Sequence, residues 1–211
     1  MKQLEADGFE VIYLKPQSNG AVLAEDIKNA VSDKTILVSI MMTNNETGAI
    51  QPVEAAVSAV KNANAPALVH CDGVQAFGKM PIDLKKLGVD LFTASAHKIH
   101  GAKGIGILYI KKGVTIKPYI VGGGQEKGMR SGTESVPLIC SFGAAVKALP
   151  PMQKELADMK ALNEYAREKL LSLDGVVINS PENALPFILN ISVLGYRSET
   201  LLHFLENEGI F

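Results

Sequence analysis

The stretch Ala94-Ser95-Ala96-His97-Lys98-Ile99-His100-Gly101-Ala102-Lys103-Gly104-Ile105-Gly106 decides how this chain reads. An apolar segment, residues 89–94, runs into small polar residues. A lysine follows a histidine, and a glycine-rich turn leads to a second apolar segment, residues 105–110. Upstream, residues 35–42 form a nearly unbroken apolar run, the mark of a strand covered on both faces. Residues 67–71 make another buried strand, ending at Asp72. Residues 24–31 and 52–62 read as helices, the latter with proline in its first turn. Residues 9–14 alternate like a strand, and residues 2–7 read as the tail of an amphipathic helix. Strands alternating with helices predict parallel βαβ units, hence an α/β fold with a mainly parallel sheet covered by helices.

Downstream the character changes. Residues 136–149 read as an apolar helix, and Pro150-Pro151 breaks the chain. Residues 152–173 form a long charged helix with apolar positions Leu156, Met159, Leu162, Tyr165, Ala166 and Leu170 at helical spacing. Short strands at 176–179 and 187–192 and a helix at 198–208 follow. The expected division is a large domain over 1–150 and part of a smaller α+β domain over 151–211. An uncapped helix at the start, and a strand beginning at Gly209 where the chain stops, read as a fragment of a longer protein.

Composition narrows the function. The 211 residues are 47% hydrophobic with net charge −1, which gives no electrostatic case for nucleic acid or a membrane surface. No apolar run reaches membrane-spanning length, and the N-terminus lacks the apolar core of a signal peptide. Cys71 and Cys140 lack CxxC spacing, which fits a reducing, cytoplasmic compartment. Both read as small hydrophobes rather than nucleophiles.

The chemistry concentrates at strand ends, where α/β folds place ligands. Lys98 is an amine able to form a Schiff base with an aldehyde, provided that burial or nearby positive charge lowers its pKa. Asp72 suits pairing with a pyridine nitrogen, or a turn or helix N-cap, and Gln75 suits donation to a phenolate oxygen, or a solvated helix face. Asn45 lies in the loop after residues 35–42 and offers a further amide donor; Asn-Asn is also common turn chemistry. Ser95 and His97 offer phosphate donors beside the lysine, and His100 helps to shape the site. His70 reads as a core histidine, turned away from Asp72 if alternation holds through Cys71; His203 reads as a helix-surface histidine. The loop at 122–133 is rich in glycine, and its Arg130, Ser131 and Thr133 suit a phosphate or a neighbouring chain. Gly101, Gly104 and Gly106 precede a strand rather than opening a helix, so they do not make a dinucleotide fingerprint. No metal-ligand set stands out.

Four segments in order carry a resemblance: Thr43-Asn44-Asn45-Glu46-Thr47-Gly48, His70-Cys71-Asp72-Gly73-Val74-Gln75, Ser95-Ala96-His97-Lys98 and Gly128-Met129-Arg130-Ser131-Gly132-Thr133. Together they resemble the cysteine desulfurases of the NifS/IscS type, in the class V aminotransferase group of pyridoxal-phosphate enzymes. The form of the glycine loop points to that branch rather than the SufS branch. The resemblance implies pyridoxal 5'-phosphate as cofactor and Lys98 as the Schiff-base lysine. Asp72, Gln75, Asn45, Ser95 and His97 become cofactor contacts, and Thr133 a phosphate ligand supplied across a homodimer interface. The implied reaction takes sulfur from L-cysteine, leaving L-alanine and an enzyme persulfide. That sulfur passes to sulfur-acceptor or scaffold proteins for iron–sulfur cluster assembly or thiolation. Two parts of the family pattern are not matched: an N-terminal stretch with a phosphate turn and a stacking histidine, and a C-terminal loop with the sulfur-accepting cysteine. Neither Cys71 nor Cys140 takes that cysteine's position, so the isolated chain is expected to be inactive. Alternatives on the same fold are a selenocysteine lyase, an aminotransferase, or an inactive binding module.

Overall fold

The computed structural model describes residues 1–210. Three parallel strands, β1 (Leu37–Met41), β2 (Leu68–Asp72) and β3 (Leu91–Ser95), and an antiparallel fourth, β4 (Gly106–Ile110), form one sheet in the order β1-β2-β3-β4. The parallel pairs have helical crossovers. The β3–β4 link, residues 96–105, is too short for one, and such a link forces antiparallel pairing. The expected mainly parallel sheet with helices is thus present, and the antiparallel β4 is an addition that the sequence reading did not foresee.

The core forms on one face of that sheet. In α3 (Val53–Asn62), Val53, Ala56, Val57 and Val60 recur at helical spacing and are buried. They pack with Ile27 of α2 (Ala24–Ala30) and with Val69, Cys71, Phe92 and Ala94 from the strands. The other face is more open. β1 alternates between exposed and half-buried residues, so its apolar run is not covered on both sides in this chain. A satellite cluster joins Ala96 and Ile99 to Phe142 of α5 (Val136–Lys147), and the Phe142 ring meets Phe77 edge to face at 6.1 Å.

Several expected elements differ. Residues 9–14 form no strand, because alternation alone supplies no ladder partner; Phe9, Ile12 and Tyr13 are exposed there. A short helix unforeseen in the sequence, α4 (Leu84–Leu87), is capped by Asp83, whose carboxylate accepts from the Lys85 and Lys86 amides. Gly88 closes it in the left-handed region at φ +79°. The first helix, α1, is Lys2–Ala6. The expected strand at the C-terminal end includes Phe211, which lies outside the described residues.

Beyond Pro151, α6 (Met152–Leu171) packs on β5 (Val176–Ile178), which pairs antiparallel with β6 (Ile191–Val193) ahead of α7 (Ser198–Asn207). The second strand is shorter than expected, since residues 187–190 stay outside the ladder. Arg167 ties this region together. Its guanidinium donates to the Ser180 and Pro181 carbonyls at 3.1 and 2.9 Å and to Asn163 Oδ1 at 2.7 Å. The region also touches the loop after β1. Leu185, 1% exposed, donates its amide to the Gly48 carbonyl at 2.9 Å. Gly48 holds φ +73°, and a Cβ there would press on Ile188 and Ala184 at 3.1 and 3.2 Å.

Candidate active site

Register brings the chemistry to one edge. Met41 pairs with Asp72 and Asp72 with Thr93, so β1 and β2 end in step and β3 runs two residues further, to Ser95, at the same edge. The loop carrying Asn45, the turn carrying Asp72 and Gln75, and the turn carrying Ser95, His97 and Lys98 all leave that edge.

Asp72 is exposed, and one carboxylate oxygen accepts from the Val74 amide at 3.0 Å. That bond locks the turn and leaves the other oxygen without a protein partner among the described residues. Gly73 follows because nothing larger fits: a Cβ there would lie 1.9 Å from the Phe92 ring. Gln75 is half-buried, and its carbonyl oxygen accepts from Lys79 Nζ at 3.4 Å.

Lys98 lies half-buried in a 3-10 turn, Ala96–Ile99, anchored by buried Ala96 and Ile99. Among the described residues its amine has no hydrogen-bond or ion-pair partner. Ser95 ends β3, half-buried, and His97 is exposed beside the lysine. His100 closes the turn in the left-handed region at φ +64° and is exposed, so its part is to turn the chain.

The Asn-Asn pair divides its labour. Asn44 does the turn chemistry: its side-chain oxygen accepts from the Glu46 and Thr47 amides, each at 2.9 Å. Asn45 is left exposed at the edge, with its amide donating to Glu46 at 2.8 Å. Thr133 is not brought to this edge by any contact among the described residues. It is exposed in the segment before α5, and the glycine loop is held by local bonds, such as Arg130 to the Ser131 carbonyl at 2.9 Å.

His70 corrects the sequence reading. Strand side chains repeat every two residues, so His70 shares the face of Asp72 rather than opposing it. It is half-buried, not in the core. It lies in a polar row, with Nδ1 2.9 Å from Ser39 Oγ and Nε2 3.3 Å from Thr93 Oγ1. Burial lowers its pKa below the usual imidazole value, against the opposing pull of Asp72. Cys71 points the other way, fully buried, and burial with the Asp72 charge pushes its thiol up to about 12. Cys140 is exposed on α5. His203 is exposed on α7 and bonds Glu206 at 3.0 Å, as a helix-surface histidine should.

The sequence reading missed Lys79. It occupies the turn after β2 between Gly78 and Met80, half-buried, with its ammonium 5.9 Å from the centre of the Phe187 ring. Burial, and then the charge of Lys98, lower its pKa, while Glu155 pulls the other way. Its spacing of four from Gln75 was the available signal.

The donor set matches a pyridine aldehyde. It offers a carboxylate with one open oxygen, an amide whose oxygen is already engaged, and a half-buried amine without a partner. Among the described residues no group of three or more His, Cys, Asp or Glu side chains is placed to hold a metal ion, and no helix is long and apolar enough to cross a membrane.

Comparison with known proteins identifies the family. The family model for class-V aminotransferases matches residues 1–211. The cysteine desulfurase IscS of Clostridium botulinum is 41% identical over 215 residues, which take in 99% of this chain and 53% of that protein. The IscS of Serratia proteamaculans is 42% identical over 213 residues, 99% of this chain and 52% of that protein. A solved NifS-like protein superposes with a TM-score of 0.90 at 44% identity, covering all of this chain and 58% of the other. A NifS-like protein from Rickettsia africae superposes at 0.85 with 32% identity, covering 94% of this chain and 56% of that one. The chain spans about half the length of the curated relatives it matches. It belongs to the class-V aminotransferase family, and the relatives it resembles there are of the NifS/IscS type.

Proposed function

We propose that this chain carries the lysine side of a pyridoxal-phosphate site in a cysteine desulfurase that takes sulfur from L-cysteine and leaves L-alanine. The observation that supports it most is the shared edge: Asp72, Gln75 and Lys98 leave the C-terminal ends of adjacent parallel strands, with open valences that suit this cofactor. Bound there, the cofactor supplies an electron sink for the substrate's α-carbon.

The chain's own residues divide the remaining work. Lys98 Nζ would hold the cofactor through its aldehyde and would serve as the base for the substrate's α-carbon proton. The open oxygen of Asp72 keeps a proton on the ring nitrogen. The Gln75 amide donates to the phenolate oxygen. Ser95 and His97 donate to the phosphate, with Asn45 as a further contact from the loop after β1. Thr133 serves as a phosphate ligand across a homodimer interface. Exposed Tyr119, Ile120 and Val121 beside the glycine loop support such self-association. Cys71 is no carrier of the released sulfur, because its buried thiol stays protonated. In this reading residues 1–150 are the cofactor-binding domain and residues 151–211 part of a smaller one. The enzyme works in the cytoplasm and hands sulfur to acceptor or scaffold proteins for iron–sulfur assembly or thiolation.

The test is cofactor attachment. With added pyridoxal phosphate the chain is expected to develop a visible absorption band. Borohydride followed by peptide mapping is expected to place the adduct on Lys98 alone, and Lys98→Ala to abolish it. An adduct scattered over exposed lysines such as Lys103 would overturn the reading.

A further inference from the structure

Lys79 lies outside the set that the resemblance assigns, yet it touches that set. Its turn packs directly on the lysine turn: Gly78 holds φ +77°, and a Cβ there would come within 2.7 Å of Ile99 Cγ2. Its ammonium donates to Gln75 Oε1 at 3.4 Å, 5.9 Å from the centre of the Phe187 ring. The charge of Glu155, in the first turn of α6, favours the ammonium, and that of Lys98 opposes it. The head group therefore lies near the π face of Phe187, a residue beyond Pro151, and is bonded to a side chain on the strand edge.

The chemistry of that bond has a direction. The two ends of a glutamine amide have nearly the same shape and opposite polarity. A lysine ammonium has three donors and no acceptor, so only the oxygen of Gln75 can face it. The amide nitrogen is then committed to the other end, as a donor. Without Lys79 the amide rotates freely, and half of its orientations turn a carbonyl oxygen outward. An oxygen facing a phenolate repels it.

We propose that Lys79 is a positioning residue that fixes the polarity of the Gln75 amide, so that this side chain presents a donor to the cofactor's phenolate oxygen. The proposal rests on the pyridoxal-phosphate reading above for its purpose, and on the Lys79–Gln75 contact for its geometry. It also gives the segment beyond Pro151 a part in the site, since the Phe187 ring lies against the residue that holds Gln75.

Two variants separate this role from packing. Lys79→Met keeps the stem and removes the donors; Lys79→Arg keeps the charge and the donors. In the cofactor-free chain, side-chain amide NMR of Gln75 is expected to give one pair of resonances, shared by the wild type and Lys79→Arg. In Lys79→Met that pair is expected to move to the averaged position of a solvated glutamine. The second readout is the pH midpoint of the visible band with pyridoxal phosphate bound. Losing the donor leaves more negative charge on the phenolate, which holds the proton on the neighbouring Lys98 nitrogen more tightly. Lys79→Met is therefore expected to raise the midpoint by about one pH unit. Gln75→Leu should raise it similarly, and the double variant no further. Unchanged Gln75 resonances in Lys79→Met, or additive shifts in the double variant, would overturn the proposal. A wild-type chain with no visible band would instead sink the cofactor reading, while the amide spectra still decide the contact.

Discussion

Gly73 owes its identity to the ring beneath it. A Cβ at that position would lie 1.9 Å from Phe92, a side chain only 2% exposed, so the ring cannot yield without opening the core. Gly73→Ala is expected to cost about 1–3 kcal/mol by overpacking and to disturb the Asp72 turn; a urea midpoint equal to that of the wild type would refute this. His70 makes a pH prediction. Its folded pKa is lowered, so the unfolded chain binds its proton more readily. The stability that His70 gives by staying neutral is complete above the ordinary value of about 6.5. It is lost as pH falls from there through the lower folded value. His70→Gln is expected to flatten that part of the stability profile, measured as urea midpoints between neutral and mildly acidic pH. A profile as steep as that of the wild type would assign the slope to other groups.

Among the elements, Asp90 acts as the clamp on the sheet. One carboxylate oxygen accepts from the Val69 amide of β2 at 2.9 Å, and the other meets Lys111, just past β4, at 2.9 Å. The Asp90 side chain is 15% exposed, so neither bond is easily replaced by water. Asp90→Ala should destabilise the chain by about 1–3 kcal/mol, chiefly through the Val69 amide left without its acceptor. Asp90→Asn, which keeps an acceptor, should cost less. Hydrogen exchange at Val69 checks both, and equal protection in the alanine variant would count against the clamp. The elements also show what a sequence discloses. Long apolar runs and the Val53, Ala56, Val57 and Val60 spacing were legible because burial writes its period into the residues. Residues 9–14 carried a period but no partner, and a strand exists only in a ladder. The four-residue α4 was too short for periodicity; its signals were Asp83 and Gly88 at its ends.

For the molecule as a whole, the candidate site was legible wherever an apolar run gave way to its first polar residue. In a parallel sheet those transitions stack on one edge, which is why Asp72 and the Ser95–Lys98 turn could be read as neighbours. His70 was misplaced because its polar neighbours, Ser39 and Thr93, come from other strands and are brought in by register alone. Lys79 was missed for a similar reason: beyond its spacing from Gln75, what surrounds it, the Phe187 ring, is distant in sequence.

The antiparallel pair of the four-stranded sheet carries a consequence for how the chain is assembled. Joining β3 to β4 closes only residues 96–105, whereas joining β1 to β2 closes 42–67, and β2 to β3 closes 73–90. Closure entropy rises with the logarithm of loop length, so the segment bearing Lys98 is the least costly to bring together. Lys98 thus sits in the most local contact of that sheet, where native order demands the smallest search.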